Sequence, residues 1–428
     1  MSQSHRQRVT FRDVLKVAEF RALWLADAQS LIGNQLARVA LAVLVFERTG
    51  STALTALTYA LTFLPAILGG ALLSGLADRY PRRRVMIWCD LVRAVLVAVM
   101  ALPAMPIAAL CALLVLVVFL GAPFSAAETA TLPQILEGDR FVVGQAVRTI
   151  TDQAGQLAGF AAGGVVIAAV GARTGLAIDA ITFLLSALII WSGVRQRPSA
   201  RNASTQDNYL CSLAEDLRLI VNSTVLRTLL AFGWLAAFYI APEGLAAPYA
   251  AEDNGGAAAV GLLLAALPAG TAVGTWLLVR LFPPPRRVRM IGPLAVAAGL
   301  ALLPCVLQPN VAVSCALWFG CGLCCAYQVP AAATFVQATP EAQRGQVYGL
   351  ASAGLIAVQG AGIVLFGLLG GQLHAHGAVA LAGAAGAVAA AFIAITGRIE
   401  PPQDRASVPA MAPMPVPAGP HATGRSTR

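Results

Sequence analysis

Eight ionisable side chains lie inside long apolar stretches of this sequence, where a charge is costly, and three of them are the main candidates for function. These three are Asp27, Arg38 and Glu243. Charged residues inside a membrane generally face a cavity or pair with one another, and they mark the pathways of ions and substrates. A carboxyl group there can take up and release a proton, so Asp27 and Glu243 are candidates for proton coupling. An alternative for Asp27 stays open, in which it lies near the lipid headgroups one turn into its helix.

Arg38 and Glu243 occupy nearly equivalent places in their apolar stretches. Arg38 follows Arg21 by 17 residues. Glu243 follows Arg227 by 16 residues. At about 1.5 Å per residue, both lie about 25 Å along their helices. We therefore expect the two side chains to pair across the molecule and to close a gate there. The two roles of Glu243 compete, because a neighbouring arginine favours the charged carboxylate and opposes its protonation.

Other charged residues inside the apolar stretches have local explanations. Asp90 and Arg93 are spaced to pair along one helix. Arg148 and Asp152 are spaced in the same way. Asp179 is expected to have a structural role.

The apolar stretches themselves place the chain in a membrane. Of 428 residues, 58% are hydrophobic and 11% are charged, and the mean hydropathy is +0.74. A soluble domain carries roughly 25% charged residues, which it needs to cover its surface. The net charge of +9 does not indicate nucleic-acid binding, because the basic residues form short clusters between apolar stretches, as in cytoplasmic loops of membrane proteins.

Twelve apolar segments are each close to the roughly 20 residues that cross hydrocarbon. Backbone groups in lipid must be satisfied within their own segment, so the segments are helices and the fold class is all-α integral membrane protein. The predicted transmembrane helices are residues 22–46, 53–75, 85–103, 107–130, 142–170, 173–194, 226–250, 257–281, 289–307, 310–333, 346–372 and 376–397.

The twelve segments divide into two six-helix halves with traces of an internal repeat, residues 22–194 and 226–397. A central cytoplasmic loop at 195–225 joins them. The remaining residues are an N-terminal cytoplasmic segment at 1–21 and a disordered tail at 398–428, which is rich in Pro, Ala and Ser. Two similar halves around a central site are typical of a secondary transporter.

The distribution of arginine predicts the orientation. Basic residues cluster on one side of the predicted membrane, at 6–21, 79–84, 195–201 and 286–289. The positive-inside rule then places both termini in the cytoplasm of a multi-pass protein of the cell (inner) membrane.

Several functions lack the residues they need. Lys16 is the only lysine, so the chain has no Walker A motif and no P-loop for ATP hydrolysis. Cys321, Cys324 and Cys325 share one helical face without a histidine nearby, which favours packing over metal binding. We expect neither a metal nor a cofactor. The absence of G-x-S-x-G and H-E-x-x-H disfavours a membrane enzyme, but that class and a non-transporting scaffold remain alternatives.

The loop after the second segment resembles a family signature. Residues 76–84 read Leu-Ala-Asp-Arg-Tyr-Pro-Arg-Arg-Arg, similar to the G-x-L-A-D-R-x-G-R-R loop of the major facilitator superfamily (MFS). Its charged residues are Asp78, Arg79, Arg82, Arg83 and Arg84. The resemblance extends to the twelve segments, the central loop and the repeated halves, and it implies the MFS fold.

Asp78 and Glu128 are expected to form contacts at the cytoplasmic end. A carboxylate near a helix N-terminus is stabilised by typically about 0.3–1 kcal/mol. We therefore expect Asp78 to dock near residues 345–346 and to hold the two halves together when the cytoplasmic side is shut. Glu128, near the same end of the fourth segment, is the expected partner of Arg79 or Arg82.

A glycine stripe in the fifth segment resembles the antiporter motif of MFS exporters, G-x3-G-P-x2-G-G. It consists of Gly155, Gly159, Gly163 and Gly164, with Phe160 in place of the proline. Such a stripe lets another helix pack closely. Generic glycine packing is the alternative.

Shorter phrases resemble the bacterial drug- and siderophore-efflux branch of the superfamily. They are Phe20-Arg21-Ala22-Leu23-Trp24, Thr49-Gly50-Ser51, Ile178-Asp179-Ala180 and Arg344-Gly345-Gln346-Val347. The resemblance implies a monomer that exports a small amphipathic compound in exchange for protons. An MFS importer of a nutrient or metabolite is the alternative within the same fold.

Overall fold

The computed structural model describes residues 10–73, 79–197, 217–340 and 343–397. The first half of the chain is a series of α-helices joined by short turns. Its helices are α1 (Phe11–Leu15), α2 (Ala18–Thr49), α3 (Thr52–Ala60), α4 (Leu64–Leu73), α5 (Arg82–Met100), α6 (Ile107–Ile135), α7 (Asp139–Val170) and α8 (Ala172–Gly193).

The second half repeats this pattern with more interruptions. Residues 217–222 are helical and precede the first labelled helix. The helices that follow are α9 (Thr224–Trp234), α10 (Ala236–Tyr239), α11 (Ala241–Glu252), α12 (Ala257–Leu281), α13 (Pro284–Arg289), α14 (Ile291–Leu302) with a 3-10 turn at Leu303–Leu307, α15 (Val311–Cys325), α16 (Gln328–Ala338) and α17 (Arg344–Thr396).

Nine helical stretches among the described residues are long and apolar enough to cross a membrane. The last of these, Gln346–Thr396, covers two predicted segments, because His374 has φ 59° and breaks α17 between them. Two predicted segments fall outside the nine for physical reasons. Helix α5 has the length of a span but carries five charged residues, and Ile291–Leu307 is apolar but shorter.

The predicted seventh segment is one helical span, Thr224–Glu252, with two local irregularities. These lie at Leu235 and at Ile240, two residues before Pro242, and both residues keep helical backbone angles. A proline ring clashes with the preceding turn and removes a backbone donor, so the regular helix resumes as α11. This irregularity sets the position of Glu243 in the first turn of α11.

The largest apolar core takes buried residues from both halves, and two smaller clusters lie within the first half. In the first half α2 lies against α7 and α8, and α5 lies against α6 and α8. In the second half α12 lies against α15, and α14 lies against α17. We call the end of the bundle with Arg82–Arg84 and Arg195 the basic end, and the end with Gly50 and Gly171 the opposite end.

The two halves meet most extensively along two pairs of helices, and glycine makes the close approach possible. In the first pair, α7 and α12, a Cβ added to Gly164 would lie 2.7 Å from Gly261 Cα. In the second pair, α3 and α17, a Cβ on Gly370 would lie 2.9 Å from a methyl group of Thr52. These contacts lie at the opposite end, because Thr52 begins α3 there and Gly164 lies within two turns of the end of α7.

Gly261→Ala should separate the halves at this contact. The added methyl group meets only backbone atoms of Gly164 and Phe160, which cannot rotate away. We expect the substitution to destabilise the protein by about 1–3 kcal/mol, as overpacking generally does. Thermal unfolding of the purified protein measures this, with Gly349→Ala, where nothing lies within 4 Å, as the control. Equal midpoints for both variants would contradict the close packing.

Candidate functional site

One hydrogen bond between side chains joins the two halves. The hydroxyl of Tyr59 on α3 donates to Glu243 Oε2 on α11 at 2.8 Å. Both residues are 3% exposed. Among the described residues, no other hydrogen bond or ion pair crosses between the halves. Glu243 therefore obtains its polar partner from the other half of the molecule.

Arg38 lies beside this contact without binding Glu243 directly. Its guanidinium carbon is 5.2 Å from the centre of the Phe63 ring, and its charge acts on both Tyr59 and Glu243. The two charged groups do not approach within 4.0 Å, so the prediction of a direct ion pair is wrong for this conformation. The Tyr59 hydroxyl takes the place that was expected for the arginine.

Asp27 is part of a charge cluster inside the first half. Arg148 on α7 lies 2.9 Å from Glu128 Oε2 on α6 and 3.9 Å from Asp27 Oδ2 on α2. The Glu128 side chain is 3% exposed, and the side chains of Arg148 and Asp27 are 17% and 22% exposed. One arginine therefore provides the counter-charge for two carboxylates. The other oxygen of Glu128 is buried without a partner among the described residues.

These contacts correct two expectations. Glu128 pairs with Arg148 and not with Arg79 or Arg82, because it lies on the side of α6 that faces α7. Arg82 instead donates to the carbonyl oxygen of Ala130 at 2.6 Å, and Arg79 is exposed. Arg148 reaches across to two neighbouring helices, whereas its expected partner Asp152 is exposed to the surroundings.

A second cluster of the same composition lies deeper in the first half. Asp90 pairs with Arg93 at 3.5 Å, as their spacing predicted. The Arg93 guanidinium also lies over the ring of Phe183, 4.0 Å from its centre. Asp179 accepts a hydrogen bond from Thr182 at 3.2 Å and is 2% exposed. The cluster packs among helices of one half, which agrees with a structural role.

The glycine stripe of α7 faces two helices. Gly155, Gly159 and Gly163 pack against α2; a Cβ on Gly159, for example, would lie 2.7 Å from Gln35 Cβ. Gly164 points the other way and meets Gly261 of the second half. The sequence identified the stripe but gave no sign of Gly261 as its partner.

The signature loop is only partly described. Asp78 and its expected docking contact lie outside the described residues. Of the arginines, Arg84 is exposed, whereas Arg83 is half-buried and donates to the carbonyl oxygen of Trp191.

A further polar cluster anchors the helix that carries Glu243. Glu252, at the end of α11, accepts a hydrogen bond from the backbone of Ala375 at 2.6 Å and lies 2.5 Å from His376 Nδ1. The His376 ring stacks on Tyr249, with 3.8 Å between the ring centres. These contacts tie α11 to the break at His374. The sequence analysis did not predict this cluster.

An open apolar groove of about 590 Å³ takes residues from both halves. Helix α7 contributes Leu157, α12 contributes residues such as Ala265 and Ala269, and α15 contributes residues such as Phe319. Pockets of about 300–1,000 Å³ accommodate small molecules. Within the described ranges, no group of three His, Cys, Asp or Glu residues could hold a metal ion.

The Arg148 cluster predicts the effect of removing one member. Arg148→Met leaves Glu128 and Asp27 without a counter-charge in a buried place, which should destabilise the protein by about 3–5 kcal/mol. The double variant Arg148→Met with Glu128→Gln removes most of that charge and should recover a large part of the loss. Thermal unfolding of the four proteins in a mutant cycle measures the coupling. Simple additivity would show that the two residues do not interact.

Comparisons with known proteins bear on the whole chain. The family model described as transmembrane secretion effector matches residues 13–420. Enterobactin exporter EntS of Citrobacter koseri is 26% identical over 370 residues, which cover 83% of this chain and 86% of that protein. Macrolide efflux protein A of Streptococcus pyogenes is 27% identical over 114 residues, and the match spans 27% of this chain and only 28% of the relative.

Solved structures show the same fold at low sequence identity. A bacterial homologue of the human lysosomal transporter Spinster, described as inward-facing and unoccupied, has a TM-score of 0.66 at 16% identity, over 90% of this chain and 95% of that one. The nucleoside transporter NupG has a TM-score of 0.63 at 14% identity, over 88% and 97%. A POT family transporter reaches 0.70 at 10% identity, over 88% and 95%.

Proposed function

The chain belongs to the transmembrane secretion effector family of major facilitator transporters, and from that premise we propose that it exports a small amphipathic compound in exchange for protons. The observation that carries the proposal is the position of the membrane carboxylates. Asp27 shares one arginine with Glu128, and Glu243 depends on a tyrosine of the other half. Asp27 and Glu128 share one counter-charge, and the partner of Glu243 is a neutral hydroxyl.

Export is favoured over import by the relatives and by the glycine stripe. Two relatives are named for efflux, one of a macrolide and one of enterobactin. The stripe on α7, which resembles the antiporter motif, takes part in the contact between the halves through Gly164. An importer is the alternative that the transport assay below distinguishes.

The open apolar groove of about 590 Å³ supports the proposed substrate class. Its lining is almost free of polar groups, so it suits the apolar part of an amphipathic molecule. Because Leu157 belongs to one half and Phe319 to the other, the groove changes shape when the halves move.

We propose an alternating-access cycle in which the opposite end is the periplasmic gate. The positive-inside rule places the basic end and both termini in the cytoplasm of the inner membrane. The contacts of Gly164 with Gly261 and of Gly370 with Thr52 then close the periplasmic side. The match to a structure described as inward-facing supports this assignment. The monomer contains both halves and is sufficient for the cycle.

Proton coupling would act at Asp27 and at Glu243. Arg148 lies closer to Glu128 than to Asp27, at 2.9 Å against 3.9 Å, so it neutralises Glu128 first. A proton on Asp27 would then remove the remaining charge of the cluster, which hydrocarbon disfavours. At the gate, separation of the halves removes the Tyr59 hydroxyl from Glu243 and leaves that carboxylate to be neutralised by a proton.

Asp27→Asn and Glu243→Gln test the coupling. Both changes remove a titrating group and keep the shape of the side chain, so substrate transport should no longer respond to a pH gradient. Transport in proteoliposomes, with and without an imposed gradient, measures this. Asp139→Asn, at an exposed carboxylate in the first turn of α7, is the matched control and should behave as the wild type. Unchanged proton-driven flux in both test variants would remove Asp27 and Glu243 from the mechanism.

The proposed direction has a direct test in cells. An efflux-deficient host that expresses the chain should tolerate higher concentrations of some compounds in an amphipathic panel. A protonophore should abolish that tolerance, because it dissipates the gradient. Increased sensitivity or accumulation of a compound would indicate import.

A further inference from the structure

Four arginines surround a narrow pocket at the basic end of the first half. Arg82 and Arg83 begin α5, and Arg195 and Arg197 follow the end of α8. The pocket, called the arginine pocket below, is lined by Arg82, Arg83, Thr131, Gln134, Val194, Arg195 and Arg197. Arg82 and Arg83 belong to the signature loop, but neither the family resemblance nor the proposed transport cycle assigns a ligand to this pocket.

The arginine pocket has an excess of positive charge. The carboxylate of Glu19 contacts the arginine pocket, and both oxygens of that carboxylate accept hydrogen bonds from Arg197. Glu19 also accepts a hydrogen bond from the backbone N–H of Arg195. Within the described parts of the chain, no carboxylate lies within 4.0 Å of the side chains of Arg82, Arg83 or Arg195. Four arginines and one glutamate leave a net charge of plus three.

One donor in the arginine pocket is buried without an acceptor. The guanidinium of Arg83 donates to the carbonyl oxygen of Trp191, but its Nε is buried and has no partner among the described residues. Buried donors are costly to leave unpaired. The free volume of the pocket is about 10 Å³, which admits one water-sized group. A single phosphate oxygen has that size and is a strong acceptor for arginine.

The surroundings place the arginine pocket at the surface of the membrane. Trp88 and Trp191 are 66% and 62% exposed, and tryptophan concentrates at the interface between lipid and water. Trp88 lies six residues beyond Arg82 in α5, about 9 Å further along the helix. Farther from the pocket, the exposed residues of α5 and α8 are apolar, such as Val95 and Leu188.

We propose that the arginine pocket binds the phosphodiester of an anionic phospholipid of the phosphatidylglycerol class. One phosphate oxygen meets the Arg83 guanidinium, and Arg82 and Arg195 supply the remaining positive charge. The acyl chains follow the exposed apolar residues of α5 and α8. A zwitterionic lipid fits less well, because its ammonium group meets the excess positive charge. A free phosphate ion would leave the adjoining apolar surface unused.

Native mass spectrometry of the purified full chain tests the site. Phosphatidylglycerol and phosphatidylcholine are titrated against the wild type and against the double variant Arg83→Gln with Arg195→Gln. One arginine near an anionic lipid surface contributes about a fivefold affinity, so the double variant should bind phosphatidylglycerol about 25-fold more weakly. The matched control, Arg286→Gln with Arg289→Gln, removes the same charge from exposed positions at the basic end and should bind as the wild type does.

Arg195→Gln alone keeps the test valid if the double variant does not fold. Arg195 is exposed, and its replacement should weaken phosphatidylglycerol binding about fivefold. Equal losses in the test and control variants, or no loss in either, would overturn the proposal. Inorganic phosphate at the concentration of the lipid should not displace it. Displacement by inorganic phosphate would show that the pocket binds a free anion and would overturn the assignment to a lipid.

Discussion

A charge in hydrocarbon needs a partner, and this constraint organises the polar interior of the protein. The first half satisfies it internally, with two clusters that each contain one arginine and two carboxylates. Arg148 lies with Glu128 and Asp27, and Arg93 lies with Asp90 near Asp179. The second half has no such cluster around Glu243 among the described residues. Its carboxylate is satisfied by Tyr59, which belongs to the first half.

This asymmetry links charge to conformation. The remaining contacts between the halves described above are close packing at glycines, which depends on shape and is insensitive to protonation. The hydrogen bond of Tyr59 with Glu243 is different, because it joins a carboxylate of one half to a donor of the other and would be lost if the halves separated. When the halves separate, Glu243 loses its donor and must find water or a proton. In the proposed cycle, opening and proton uptake would therefore favour one another.

The sequence predicted those features that depend on local pattern. Apolar length placed the helices, and spacing along one helix predicted the pair of Asp90 with Arg93. It did not predict Glu128 with Arg148, because that pair depends on how α6 and α7 are rotated against each other. Tyr59 gave no signal, since a tyrosine in an apolar segment looks like a core residue, and its partner is 184 residues away. The sequence predicted equivalent depths for Arg38 and Glu243, but depth alone does not decide which polar group makes the contact.

The distance across the opposite end tests this account most directly. Spin labels are attached at Leu54→Cys on α3 and Gly371→Cys on α17, in a variant without the eight native cysteines. Double electron–electron resonance then measures the distance between the two labels, which reports the separation of the halves. Tyr59→Phe removes the one hydroxyl that joins the halves and leaves the glycine packing intact. The account predicts that this variant gains a population at longer distance than its Tyr59 parent. Identical distance distributions for the two proteins would contradict it.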